Sequence, residues 1–146
     1  MSENVSLAKS RGIARKMAMQ AVYQWQMTGD DVVDIEQQFI AENDMEKVDQ
    51  AYFSELLFKV SSENDIDALL EKYMDRKILL VDPVERAILR IACYEFKFRL
   101  DVPYRVVLNE AIMLTKKFCA EKSHKFVNAV LDKVARELRV HEIKKS

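Results

Sequence analysis

Residues 101–134 read DVPYRVVLNEAIMLTKKFCAEKSHKFVNAVLDKV. Val107, Ala111, Leu114 and Phe118 recur at helical spacing, with Leu108 and Ile112 beside them; Val127, Val130, Leu131, Val134 and Leu138 form a second stripe. Both stripes follow the period of a helix rather than the alternation of a strand. The first is apolar over a wide arc, which predicts the most buried helix of the chain. Between them lies the polar turn Glu121-Lys122-Ser123-His124-Lys125-Phe126. Lys122, Lys125, the Ser123 hydroxyl and the free N–H groups of a helix start meet there, and such groups suit a phosphate chain. Asp101-Val102-Pro103 reads as the start signal of the first helix, and Ser123 as the cap of the second.

The same period continues upstream. Asp82-Pro83-Val84-Glu85 is the clearest helix start. Asp caps, Pro occupies a first-turn position where its missing N–H costs nothing, and Glu at the third position can reach back to the cap. Val84, Ala87, Ile88, Ile91 and Ala92 follow as its buried side. Asn64-Asp65 opens a shorter helix carrying Ile66, Leu69, Leu70 and Tyr73. Another is predicted near Asp49–Ser61, with Asp49 as cap and Phe53, Leu56, Leu57 and Val60 inward. Val32–Glu42 buries Ile35, Phe39 and Ile40. Lys9–Met27 carries Ile13, Met17, Ala21 and Trp25 every four residues and stops at Gly29, which suits the left-handed position after a helix. The first eight residues read as frayed and His141–Ser146 as a solvated tail.

Two glycines and two prolines in 146 residues leave few places for tight turns, which excludes a strand-rich fold. The expectation is an all-α chain of about seven short helices. It forms one domain over 1–146, with sub-bundles near 9–62 and 65–139 and a flexible basic segment at 1–10. No apolar run is long enough for a signal peptide or a membrane span, so a cytoplasmic protein is expected. Cys93 and Cys119 have no ligand-like spacing and read as reduced core or boundary thiols.

Catalysis finds no foothold. His124 adjoins a cap and His141 lies in the tail, so neither has a nucleophile to activate. Two cysteines and two histidines, all separated, supply no metal ligand set, and isolated glycines form no phosphate loop. No cofactor, metal or enzyme activity is expected.

Charge points to binding. The net charge of −1 conceals four Lys/Arg against one acid in residues 1–28, three against fourteen in 29–75, and sixteen against nine in 76–146. The two ends are thus basic and the middle acidic, the pattern of an anion-binding face. Lys9, Arg11, Arg15 and Lys16 crowd the start of the first helix, where cations oppose the helix dipole, so the cluster has a use other than helix stability. They are expected to sit off the apolar stripe, with Gln20, Tyr23 and Gln24 continuing the exposed side. Cations for phosphate, amides for base edges and aromatic faces for stacking describe a single-stranded RNA surface. The turn Lys122-Ser123-His124-Lys125-Phe126 is its second part. The two patches are expected to meet one RNA.

Four segments then carry a resemblance. They are Ala18-Met19-Gln20-Ala21-Val22-Tyr23-Gln24-Trp25-Gln26; Val84-Glu85-Arg86-Ala87-Ile88-Leu89-Arg90-Ile91-Ala92; Asp101-Val102-Pro103-Tyr104-Arg105-Val106 with Asn109-Glu110-Ala111; and Ser123-His124-Lys125-Phe126-Val127-Asn128 with Val130-Leu131-Asp132-Lys133. In this order they resemble the NusB family of bacterial transcription antitermination factors over nearly the whole chain. The resemblance implies two helical sub-bundles. It also implies binding of boxA RNA from ribosomal RNA operon leaders as a heterodimer with the ribosomal protein NusE, and entry into the RNA polymerase complex with other Nus factors. It implies an RNA surface of Lys9, Arg11, Arg15, Lys16, Gln20, Ser123, Lys125 and Phe126, to which the charge of the turn adds Lys122, and a NusE surface of Tyr23, Glu85, Tyr104 and Glu110. Lys122 stands where relatives often carry an acid, and Leu79 replaces another family acid. Two other readings remain: an RNA-binding module of a ribosomal RNA methyltransferase, and a purely protein-binding helical scaffold.

Overall fold

The computed structural model describes residues 6–145, all of whose regular elements are helical. In chain order they are α1 (Leu7–Thr28), α2 (Val32–Glu42), α3 (Gln50–Ser62), α4 (Asp65–Glu71), a 3-10 turn (Ile78–Leu80), α5 (Pro83–Phe98), α6 (Tyr104–Phe118), α7 (Ser123–Leu138) and α8 (Val140–Lys145). Contacts divide the chain into two compact units, Met1–Glu63 and Asn64–Ser146.

In the first unit α1 packs chiefly on α3, and α2 touches both. Ala14, Met17, Ala18, Ala21 and Val22 of α1 are buried, as are Ile35 of α2 and Phe53, Leu56, Leu57 and Val60 of α3. The Ser6 hydroxyl accepts the Lys9 N–H at 3.1 Å, so α1 starts at Leu7, within the stretch expected to fray. Of the segment expected to be flexible, residues 1–5 lie outside the described residues, and residues 7–10 are helical. Gly29 ends α1 at φ 71°, its N–H donating to the Trp25 carbonyl at 2.9 Å. Asp49 caps α3 by accepting the Tyr52 N–H at 3.0 Å.

In the second unit α5 is the central element, packed against α4, α6, α7 and the 3-10 turn. Asp82 caps it through the Val84 and Glu85 N–H groups, both at 3.1 Å. Eleven consecutive residues, Arg86 to Phe96, are buried, whereas α6 buries only Val107, Ala111 and Thr115. The most buried helix is therefore α5 and not α6. Neighbours on several sides override the single apolar stripe of the sequence.

Three further expectations are corrected at helix ends. Asp101 does not cap α6; it pairs with Arg99 at 3.1 Å. The cap comes from Glu142, whose carboxylate accepts the Tyr104 N–H at 2.8 Å across 38 residues of sequence. Glu142 lies on α8, so the expected solvated tail is a helix, held because it supplies this acceptor. Ser123 does not cap α7. Lys122 takes that position without a side-chain bond, and the Ser123 hydroxyl donates to Glu85 at 2.8 Å.

Arg139 fixes the same corner. Its guanidinium donates to the carbonyls of Glu95 (3.1 Å), Phe96 (2.8 Å), Arg99 (2.9 Å) and Val102 (2.9 Å), and to the Glu142 carboxylate at 2.6 Å. Its side chain is 3% exposed. Arg139→Ala leaves several buried carbonyls without a donor and should lower the unfolding free energy by about 3–5 kcal/mol. Arg139→Lys should recover little of that, because an ammonium cannot reproduce the fork. Denaturant titration of the two variants measures this, and a loss below about 1 kcal/mol for both would contradict it.

Burial opposes ionisation of Glu142, but the bonds from the Tyr104 N–H and Arg139 outweigh it and hold the carboxyl below the ordinary glutamate value. A lowered carboxyl value means that the stabilisation is complete above the ordinary range and is lost as pH falls through the lower folded value. The denaturation midpoint should therefore fall on acidification below about pH 4.5, and Glu142→Gln should flatten part of that fall. Identical acid limbs for wild type and variant would refute the link.

Candidate nucleic-acid and partner interface

The basic cluster of α1 lies in the first unit, and the structure separates its members. Lys9 and Gln20 are exposed and Lys16 is half-buried. Arg11 stands 3.5 Å from Asp49 with its guanidinium 4.6 Å from the centroid of the Tyr52 ring. Arg15, one turn on, lies 5.4 Å from the same ring and is only 3% exposed. The expectation that all four cations sit off the apolar stripe fails for Arg15. Its flat guanidinium packs on an aromatic face, which lets it join the core side of α1. Tyr23 is exposed, and neighbouring Gln24 donates to Gln38 at 3.1 Å.

The polar turn lies in the second unit. Lys122 and Lys125 are exposed, and neither side chain has a hydrogen-bond or ion-pair partner among the described residues. The His124 ring nitrogen Nδ1 is 2.9 Å from the Glu121 carbonyl, which holds the ring to the turn. Ser123 is buried and bonded to Glu85. An expected RNA residue and an expected partner residue are thus joined directly. That bond also explains why Glu85, at the third position of α5, does not complete a capping box. Phe126 is half-buried, with the Arg76 guanidinium 4.8 Å from its ring centroid.

Tyr104 is half-buried, and its hydroxyl accepts from Arg105 Nε at 3.2 Å. Glu110 is also half-buried, further along α6. Leu79 is 71% exposed, and its carbonyl accepts from Arg86 at 3.1 Å. Burial pushes the Cys119 thiol up to about 11, with Glu85 and Asp82 adding to the shift, and it pushes the buried Cys93 thiol up to about 12. Both stay protonated at neutral pH and are poor nucleophiles. Among the described residues no three His, Cys, Asp or Glu side chains converge to hold a metal, and no helix is long and apolar enough to cross a membrane.

Sequence reasoning missed the surroundings of Phe126. Arg76 and Asp75 come from the loop after α4, fifty residues away in sequence, and no local signal joins them to α7. Lys133 was legible in principle, because it follows Phe126 by seven residues and shares its face of α7. Lys72 and Tyr73 both donate to Glu137, at 2.7 and 2.5 Å. That bond holds the ammonium and the phenol above their ordinary values and the carboxyl below its own.

The model of the NusB family matches residues 13–136. A Hahella chejuensis protein called transcription antitermination protein NusB is 46% identical over 136 residues, which cover 92% of this chain and 91% of that protein. A solved structure of NusB from T. maritima superposes with a TM-score of 0.81 at 26% identity, covering 92% of this chain and 96% of the other. A crystal structure of the antitermination factors NusB and NusE in complex with dsRNA gives a TM-score of 0.76, also at 26% identity, over 87% of this chain and 96% of that one.

The Ser123–Glu85 bond can be measured without any ligand. A double-mutant cycle with Ser123→Ala and Glu85→Ala should return a coupling of about 1.5–3 kcal/mol, the range for a hydrogen bond to a charged group. Additive losses would show the two side chains to be energetically independent.

Proposed function

This chain belongs to the NusB family, and from that premise we propose that it is a transcription antitermination factor acting by binding alone. In this reading it takes single-stranded boxA RNA of ribosomal RNA operon leaders, forms a heterodimer with the ribosomal protein NusE, and joins RNA polymerase with other Nus factors in the cytoplasm. Residues 1–146 act as one RNA-binding domain. The observation that carries the reading is the fold shared with a protein crystallised with both NusE and RNA.

The chemistry of the exposed and half-buried groups supports it. Lys9 and Lys16 of the first unit and Lys122 and Lys125 of the second are cations for phosphate. Gln20 offers an amide to a base edge, and Phe126 offers a ring. Arg11 and Arg15 contribute mainly by fixing the Tyr52 side of α1, and Ser123 by holding the turn to Glu85. Tyr23, Glu85, Tyr104 and Glu110 form the NusE-facing set, with apolar Leu79 where the family carries an acid. Unstacked bases are what amides and rings read, which favours single strands over a duplex.

The test is titration of a single-stranded boxA oligomer, with and without the ribosomal partner, across a salt series. About four phosphate contacts at roughly −0.7 each give a log–log slope near −3. The same sequence as a duplex should bind more weakly. Binding that ignores salt, or no binding even with the partner, would overturn the RNA reading; tighter binding of the duplex would overturn its single-strand part.

A further inference from the structure

Phe126, Ala129, Val130 and Lys133 fall at i, i+3, i+4 and i+7 and line one face of α7. The loop after α4 stands opposite, and the two flank an open surface cavity of about 400 Å³ within the second unit. That volume is in the range of small-ligand pockets.

The charges of its wall differ in what they are already doing. Lys72 is held by Glu137 at 2.7 Å, outside the lining, and Tyr73 shares that carboxylate. Arg76 Nε is held by Asp75 at 3.0 Å, which fixes the guanidinium. Lys133 is exposed, and its side chain has no hydrogen-bond or ion-pair partner among the described residues. The cavity therefore carries one uncompensated positive charge on its rim. Inside, the Arg76 guanidinium lies 4.8 Å from the Phe126 ring centroid, and the Arg76 side chain is still 45% exposed. The guanidinium thus has an aromatic neighbour and keeps access to solvent. A flat ligand with a single anionic group matches such a wall. A run of acidic residues does not, because Asp75 lies in the same lining and repels it.

We propose that this cavity is a nucleotide subsite, in which one unstacked base lies on the outer side of the Arg76 guanidinium and the adjoining phosphate pairs with Lys133. The ring of Phe126 takes part in this platform through the guanidinium that lies against it. Guanidinium planes and aromatic faces are the usual platforms for splayed bases. The inference rests on the RNA reading above and adds to it a base position, with Arg76 and Lys133 as its contacts.

The probe is a single-stranded boxA oligomer carrying 2-aminopurine at one position at a time, bound to the full chain together with its ribosomal partner. In the wild type one position should show quenching from stacking, and Arg76→Ala should abolish it at that position alone. Arg76→Lys keeps the charge and loses the plane, so affinity should fall about tenfold with an unchanged salt slope. Lys133→Gln should lower the slope by about 0.7, the loss of one phosphate contact. Affinities within twofold of wild type for both variants, with the same fluorescence profile, would overturn the subsite while leaving the RNA reading standing. A wild type that binds no RNA would overturn both. All these side chains lie at the surface, and equal thermal midpoints confirm that the variants are folded.

Discussion

The second unit depends on a guanidinium buried where α5 ends. A helix leaves its last carbonyls without partners, and a buried end must find donors elsewhere. Here Arg139 supplies them from beyond α7, to Glu95, Phe96 and Arg99, and extends the same fork to Val102 in the following loop. A cation at that end also complements the helix dipole. Burying it is tolerable because nearly every donor is used and because Glu142 balances its charge. Glu142 then caps α6. One residue pair therefore closes the end of α5, sets the start of α6, and holds α8 in place.

A division of labour between the two basic residue types follows from the same physics. Arg15, Arg86, Arg90 and Arg139 are the buried cations among the described residues, and all are arginines. Arg90 makes a two-point pair with Asp67 at 2.9 and 2.8 Å, and Arg15 lies over Tyr52. The planar, weakly hydrated guanidinium suits such places, whereas the strongly hydrated ammonium stays in water. Arg76, Arg105 and Arg136 are exposed too, but the exposed cations of the two basic patches and at the far end of the Phe126 face, Lys9, Lys122, Lys125 and Lys133, are lysines. Lysine acts as a point charge, so these residues can hold a phosphate chain without reading it. Any sequence preference has to come from flat or amide groups, such as Gln20 and the Arg76–Phe126 pair.

This division also explains which parts of the molecule were legible in the sequence. The caps at Asp49 and Asp82 and the left-handed Gly29 involve residues a few positions apart, and local chemistry decides them. The helices themselves follow from apolar spacing. What stayed hidden was settled by partners far along the chain. Ser123 sits where a cap should be but is drawn to Glu85, and Asp101 resembles a cap while the acceptor is Glu142. The run 141–145 is polar enough to read as a tail, yet it is anchored by Arg139. The ranking of α5 and α6 failed for a related reason. An apolar stripe reports how much surface a helix can bury, not how many neighbours surround it. At the interface, the cluster of cations on α1 was visible as composition, but the sinking of Arg15 against Tyr52 depended on a ring in α3.

The bond between Ser123 and Glu85 joins a residue of each of the two proposed binding surfaces within one unit. Glu85 is in the first turn of α5, where Asp82 fixes the backbone, and Ser123 is the first residue of α7. A ligand drawing on the Glu85 carboxylate competes with the Ser123 hydroxyl for it. The exposed Lys122 and Lys125 flank that hydroxyl in sequence, so any movement of Ser123 is felt where the turn offers charge. The converse also holds, because a coupling free energy acts equally in both directions. Charge reversal at Glu85 therefore also leaves the Ser123 hydroxyl without its acceptor, next in sequence to Lys122. Under the proposed function, partner and nucleic-acid effects of such a change are coupled, because one hydrogen bond joins a residue of each proposed surface.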